Sequence, residues 1–205
     1  MRGKQKDIPW NDTGLKSHYI TSSSSKIIGA LDYIKAISES CYTTLKDSIF
    51  TIAIRFDNTK DKFNCASTNI CNGLIILINP HLDNVSIETV ADAIVHEMIH
   101  NLFDVAELYE PCLPTKFHPR IIESPWTKRM LDPNTYIQAC YTWYGLKCFW
   151  QKAHECEKSQ NAYYYLQQSS KGFASSEFID VAKNSEFEFD QKIISTLERF
   201  KISGC

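Results

Sequence analysis

The stretch ETVADAIVHEMIHNLF at 88–103 most constrains how this chain folds. Val90, Ile94, Val95, Met98 and Ile99 return at helical spacing but spread over more than one face, the pattern of a helix running through a core. Ser86 is suited to cap its start, with Glu88 in the first turn. Yet this core helix carries His96, Glu97 and His100 in the motif HEMIH. Side chains at i and i+4 project from one helical face about a turn apart, so both histidines can bring a ring nitrogen to one divalent ion. Glu97 would then stand beside that ion as a base or as the holder of a bound water. Asp92, four residues before His96, is placed to orient the site from behind. HExxH fixes only three positions and arises by chance in long helices. Its place directly after a strand pair favours a metal site over coincidence.

The flanking sequence supplies the rest of the architecture. Residues 1–23, ending in TSSSS, read as a flexible or irregular arm, and residues 24–205 as a single domain. A helix is predicted from Ser25 to about Leu45 on the spacing of Ile27, Ile28, Leu31, Ile34, Ile37 and Cys41. FTIAIRF at 50–56 reads as a strand, and FNCASTNI (63–70) with GLIILINP (73–80) as a hairpin. After the HEMIH helix comes an irregular stretch holding Pro111, Pro114, Pro119 and Pro125, of a length that is usually functional or disordered. A long aromatic helix is then expected from Pro133, capped by Asp132, followed by helices over about 158–168 and 186–201. The fold class expected is α+β, zincin-like, and predominantly helical, with a small sheet or hairpin ahead of the HExxH helix.

Charge and composition exclude several functions. A formal net charge of −2 and scattered lysines give no electrostatic case for nucleic acid. No run approaches the roughly 18 apolar residues of a membrane span, and the polar start lacks the core of a secretory signal. A cytoplasmic protein is expected. The eight cysteines include no CxxC pair and read mostly as buried thiols, with Cys65 and Cys71 close enough in sequence to pair in an oxidising setting.

Two histidines need a third donor. The extended motif with a further histidine fails, because position 106 is Ala106 and Phe103 stands where a sharp turn wants glycine. Asp104 and Glu107 lie too close along the same helix to swing back readily. Glu123, His118 and Gln138 remain. Glu123 sits at a spacing suited to a glutamate-type zincin, though in the proline-rich loop. Gln138 is a polar side chain in an aromatic, cysteine-rich helix, where a buried amide needs a partner or a metal.

VHEMIHNL (95–102), SPWTKRMLDP (124–133) and YIQACYTWYGLKCFW (136–150), in that order, resemble the HExxH-type peptide β-hydroxylases of peptide natural-product maturation. The likeness spans about 60 of the 205 residues. It implies an Fe(II)- and 2-oxoglutarate-dependent oxygenase that hydroxylates a side-chain carbon of a peptide or precursor peptide. His96 and His100 are the implied ligands, and the family's third histidine falls on Gln138. The arginine of the family's Asp-Pro-Arg step is Asn134 here, and the chain is short for the group. The distal carboxylate of 2-oxoglutarate calls for a cation, for which Arg129 and Arg120 are the candidates. Trp126, Tyr141 and Thr142 are candidate pocket residues, each equally suited to packing. A polar face at Ser67, Thr68 and Asn69 could receive an extended peptide.

Two other functions stay open. A zinc metallopeptidase would use Zn(II) on His96, His100 and Glu123, with Glu97 activating water. A non-catalytic peptide-binding descendant would keep the surface without turnover. The sequence leaves the oligomeric state undetermined.

Overall fold

The computed structural model describes residues 17–67, 71–115 and 118–202, and within them helices surround a small mixed sheet, an α+β arrangement. In chain order these are α1 (Ser17–Ile37), α2 (Glu39–Ser48), β1 (Thr51–Arg55), β2 (Asn64–Ser67), β3 (Leu74–Ile78), α3 (Ile87–Tyr109), β4 (Ile122–Glu123), β5 (Met130–Leu131), α4 (Pro133–Glu157), α5 (Gln160–Ser170), α6 (Glu177–Lys183) and α7 (Gln191–Ile202). Short 3-10 turns occupy Lys171–Phe173 and Ser185–Phe187.

The two helices that matter most start where their capping residues dictate. Ser86 accepts from Thr89 N at 3.2 Å and opens α3. Asp132 accepts from Thr135 N at 3.0 Å, with Pro133 at the first helical position of α4. Each cap satisfies a backbone donor that the helix itself leaves unpaired.

The first predicted helix differs from the sequence expectation at both ends. It begins at Ser17, so residues 17–23 of the expected arm are helical. The serine run shows no apolar period, but Ser23 is fully buried and Ser22 Oγ donates to the His81 carbonyl at 3.4 Å. Tyr19 packs on Phe56 and His81, which supplies tertiary contacts that local spacing cannot reveal. The helix then breaks at Ser38, extended with its hydroxyl accepting from Cys41 N, and α2 starts afresh. The last predicted helix, about 186–201, resolves into a 3-10 turn and α7, and α6 ahead of it was not expected.

The expected hairpin is present as the antiparallel pair β2–β3, with Cys65 opposite Leu77 and Ser67 opposite Ile75. The third strand joins on the other side: β1 runs parallel to β3, Ile52 opposite Ile75, in the order β1-β3-β2. Asn79, at φ 56°, ends β3 and closes the 57–62 turn. Its amide nitrogen donates to the carbonyls of Asp57, Lys60 and Lys62, while its oxygen accepts from Asp57 N. An asparagine tolerates this left-handed backbone better than most side chains. Thr68 and Asn69 of the expected peptide-binding face lie outside the described residues.

Two apolar clusters hold the helices. One joins α1, α3, β3 and the second half of α4 through Ile34, Ile75, Val90, Ile94, Leu146 and Trp150. The other joins the first half of α4 to α6 and α7 through Tyr136, Ile137, Phe178 and Leu197. Trp143 packs against both. Among the described residues, Cys41, Cys65, Cys71, Cys112, Cys140 and Cys156 are free thiols, and Cys148 is disulfide-bonded. No described helix is long and apolar enough to cross a membrane.

Candidate metal centre

The helix α3 turns both motif histidines to one side. His96 Nε2 and His100 Nε2 lie 3.0 Å apart, with ring centroids at 4.7 Å. With both rings neutral, one nitrogen can donate to the other across this gap. The same separation also spans two ligands of one ion. At a metal–nitrogen distance of about 2.1 Å it corresponds to an angle of about 90° at the metal, whereas a tetrahedral angle would require about 3.4 Å. The two imidazoles are thus close enough to share one divalent ion.

Burial keeps both rings neutral and ready to ligate. Desolvation pulls His96 down to about 4, the charge of His100 adding to it and Glu97 opposing. His100 is lowered as well, by burial first, against the opposing pull of Glu97, Asp104 and a hydrogen bond to Gln138. The surroundings are aromatic: Trp143 meets His96 edge-on at 6.0 Å, and Trp126 stacks on Trp143.

Gln138 is brought to this pair from the second turn of α4. Its amide nitrogen donates to Asp104 Oδ1 at 3.0 Å, and the residue bonds His100. Two imidazoles and one amide therefore converge from α3 and α4. Among the described residues, no group of three or more histidine, cysteine, aspartate or glutamate side chains is placed to hold a metal ion.

The alternative third donors go elsewhere. Glu123 on β4 faces solvent and pairs with Lys128 at 3.0 Å, both side chains more than half exposed. The β4–β5 turn directs this carboxylate, the alternative metal ligand of the sequence, outward into that ion pair. His118 packs edge-on against Phe187 at 5.3 Å.

Glu97 is 5 % exposed, and the Cys65 thiol on β2 hydrogen-bonds to it. Burial and the neighbouring Glu97 carboxylate push that thiol well above its ordinary range. Asp92, four residues before His96, is partnered by Trp150, whose Nε1 donates to Oδ1 at 2.7 Å. Burial raises Asp92 to about 6 against that stabilising bond.

Of the candidate pocket residues, Trp126 is buried, and its Nε1 donates to the Ser169 carbonyl at 2.9 Å. Thr142 is fully buried and its hydroxyl donates to the backbone carbonyl of Gln138 at 3.0 Å, which makes it part of the helix and not of a cavity wall. Tyr141 lines an apolar groove of about 490 Å³ between α3 and α7, with Phe103 and Ile193. The cavity that Gln138 opens on is a different one, about 340 Å³. Asp104, Glu107, Asn72, Asn134 and Thr135 are among its polar lining residues, and its described lining includes no lysine or arginine.

Arg129 and Arg120 are both exposed, and Arg120 acts on the Asp132 carboxylate at the start of α4. The expected anchors for 2-oxoglutarate thus do not line the Gln138 cavity. Two carboxylates on its wall oppose a dianion. Neither His96 nor His100 is among the lining residues of that cavity.

Sequence reasoning missed Asp104, Cys65 and Trp143. Asp104 was weighed only as a ligand, although i+4 spacing from His100 already puts it on the same face. The other two depend on packing between distant segments, for which the sequence carries no local signal.

These features define a class of site: paired imidazoles on one buried helix, with an amide supplied by the helix packed beside it. Neither a family model nor a curated protein sequence matches the chain.

Proposed function

We propose that this chain is a metal-dependent, peptide-modifying enzyme of zincin-like build, which uses Fe(II) on His96, His100 and Gln138 to hydroxylate a side-chain carbon. The observation that carries the proposal is the 3.0 Å separation of the two Nε2 atoms, with Gln138 and not Glu123 beside them. Three protein donors would leave open positions on a six-coordinate ion, as oxygen-activating iron sites require. When bound, iron would supply the oxidising chemistry. The protein's part is to hold two neutral imidazoles, exclude water with Trp143 and Trp126, and position the substrate carbon.

Hydrolysis by zinc is less well supported. Glu123 is engaged in an exposed ion pair, and the Glu97 carboxylate is engaged by the Cys65 thiol. Inserting one atom of O2 into a C–H bond requires a two-electron co-reductant, and the one the motif resemblance implies is 2-oxoglutarate, oxidised to succinate and CO2; the described lining of the cavity beside Gln138 holds no lysine or arginine for its distal carboxylate.

The test begins with anaerobic titration of the full chain with Fe(II) and with Zn(II). Oxygen is then admitted over a peptide library, with and without 2-oxoglutarate. Oxygen-dependent hydroxylated peptide from the iron form supports the proposal. Succinate release in step with hydroxylation would identify 2-oxoglutarate as the co-reductant. Zinc-dependent cleavage that is abolished by Glu97→Gln would transfer the assignment to the peptidases.

A further inference from the structure

We infer that Asp104 is a positioning residue that fixes which end of the Gln138 amide faces the histidines. This rests on the metal-centre reading above and assigns a role to a residue outside its donor set.

The argument begins with the two functional groups. An ionised carboxylate only accepts hydrogen bonds, whereas a primary amide has a donor end and an acceptor end. Asp104 Oδ1 lies 3.0 Å from the Gln138 amide nitrogen. The nitrogen is therefore committed to Asp104, and the carbonyl oxygen is left for the His100 side. Only that end can serve a metal or accept from an imidazole N–H. The reversed amide would direct two N–H groups at the ion. Without Asp104, Gln138 keeps only its bond to His100, an imidazole that can donate or accept according to its tautomer, so the two orientations differ little.

Placement on the helices supports the same role. Asp104 follows His100 by four residues on α3, so the carboxylate and the imidazole share a face. Gln138 reaches both from α4. The carboxylate also directs negative charge along the amide toward the site, which makes an uncharged oxygen a better donor. Partners of this kind commonly change metal affinity roughly 10- to 100-fold when removed.

The experiment measures uptake of Co(II), and of Fe(II) without oxygen, by the full chain in calorimetry and visible absorption. Circular dichroism checks that each variant is folded. Asp104→Ala should weaken binding by roughly 10- to 100-fold. Asp104→Asn should weaken it less, because the new amide can still present its oxygen to Gln138. Adding Asp104→Ala to Gln138→Ala should cost nothing further. The exchange Asp104→Asn with Gln138→Glu should recover wild-type affinity or exceed it, because the new amide then donates to the new carboxylate. In the metal-free protein, the Gln138 side-chain amide protons should lose their exchange protection in Asp104→Ala.

An equal loss from Asp104→Ala in the Gln138→Ala background would overturn the role, since Asp104 would then act on the ion directly or through the fold. Failure of the exchanged pair to recover binding would do the same. Absence of metal uptake by the wild-type chain would remove the metal reading itself, an outcome distinct from intact uptake without coupling.

Discussion

Trp126 and Trp143 stack in parallel, their ring centroids 5.8 Å apart and their planes within 6°. The second indole then meets His96 edge-on. A residue from the proline-rich connection is thus linked to the candidate centre through one ring on α4. Gly172 makes the stack possible, because a Cβ there would fall 2.2 Å from Trp126 Cε2. Gly172→Ala should force the indole out of place and destabilise the protein by about 1–3 kcal/mol. Urea unfolding followed by tryptophan fluorescence measures this, and a shift in the emission of the folded state should accompany it.

Gln138 and Glu123 were the competing third donors, and their environments predict opposite outcomes. Glu123→Gln should change stability by less than about 0.5 kcal/mol, as expected for an exposed ion pair, and leave metal affinity unaltered. Gln138→Ala should lower affinity for Co(II) by at least about tenfold while leaving the far-ultraviolet spectrum intact. A reversed result in the same titration would restore the loop carboxylate as ligand.

Asn101 is 2 % exposed and ties the motif helix to the sheet. Its amide nitrogen donates to the Glu97 carbonyl at 2.9 Å, and its oxygen accepts from Gly73 N at 2.7 Å, just ahead of β3. Asn101→Ala leaves a backbone donor unpaired, and should cost about 2–3 kcal/mol in chemical denaturation. Amide exchange at Gly73 should accelerate in step.

Asp92 and His96 give opposite pH dependences. Asp92 titrates near 6 in the folded chain, above the ordinary aspartate value, so the folded state binds its proton more tightly than the unfolded state. Its cost to stability grows as pH rises from about 4 and is complete above about 6. Asp92→Asn keeps an acceptor for Trp150 and removes the charge, so it should raise the melting temperature at pH 7–8 and have little effect at pH 4.

His96 is depressed to about 4, so between about 6.5 and 4 the unfolded chain takes up a proton that the folded one refuses. The metal-free protein should lose up to roughly 3 kcal/mol over that interval as pH falls. His96→Leu should flatten this slope in pH-dependent unfolding.

The helices that build the site were legible because their signals are local. Ser86, Asp132 and Pro133 mark the starts of α3 and α4 to the residue, and the i, i+4 spacing puts His96 and His100 on one face. The pairing of β1 with β3 was not legible, because a parallel partner is chosen through packing across a connection and not by an adjacent turn. The start of α1 was hidden for a similar reason: Ser23 is buried by contacts from outside its own segment. Gln138 stood out as an amide among aromatics. Its dependence on Asp104 spans 34 residues and follows only from how α3 lies against α4. Arg129 and Arg120 had the right chemistry, but nothing in the sequence said which way their loop would turn them.

His96, His100, Asp104 and Gln138 all stand on α3 and α4, and none belongs to the irregular span between those helices. The span from 111 to 131 can therefore diverge in length and composition without moving a donor atom, provided the Trp126 stack is kept. Changes of specificity would accumulate there, while the pair of helices that carries the candidate centre stays fixed as a reusable base.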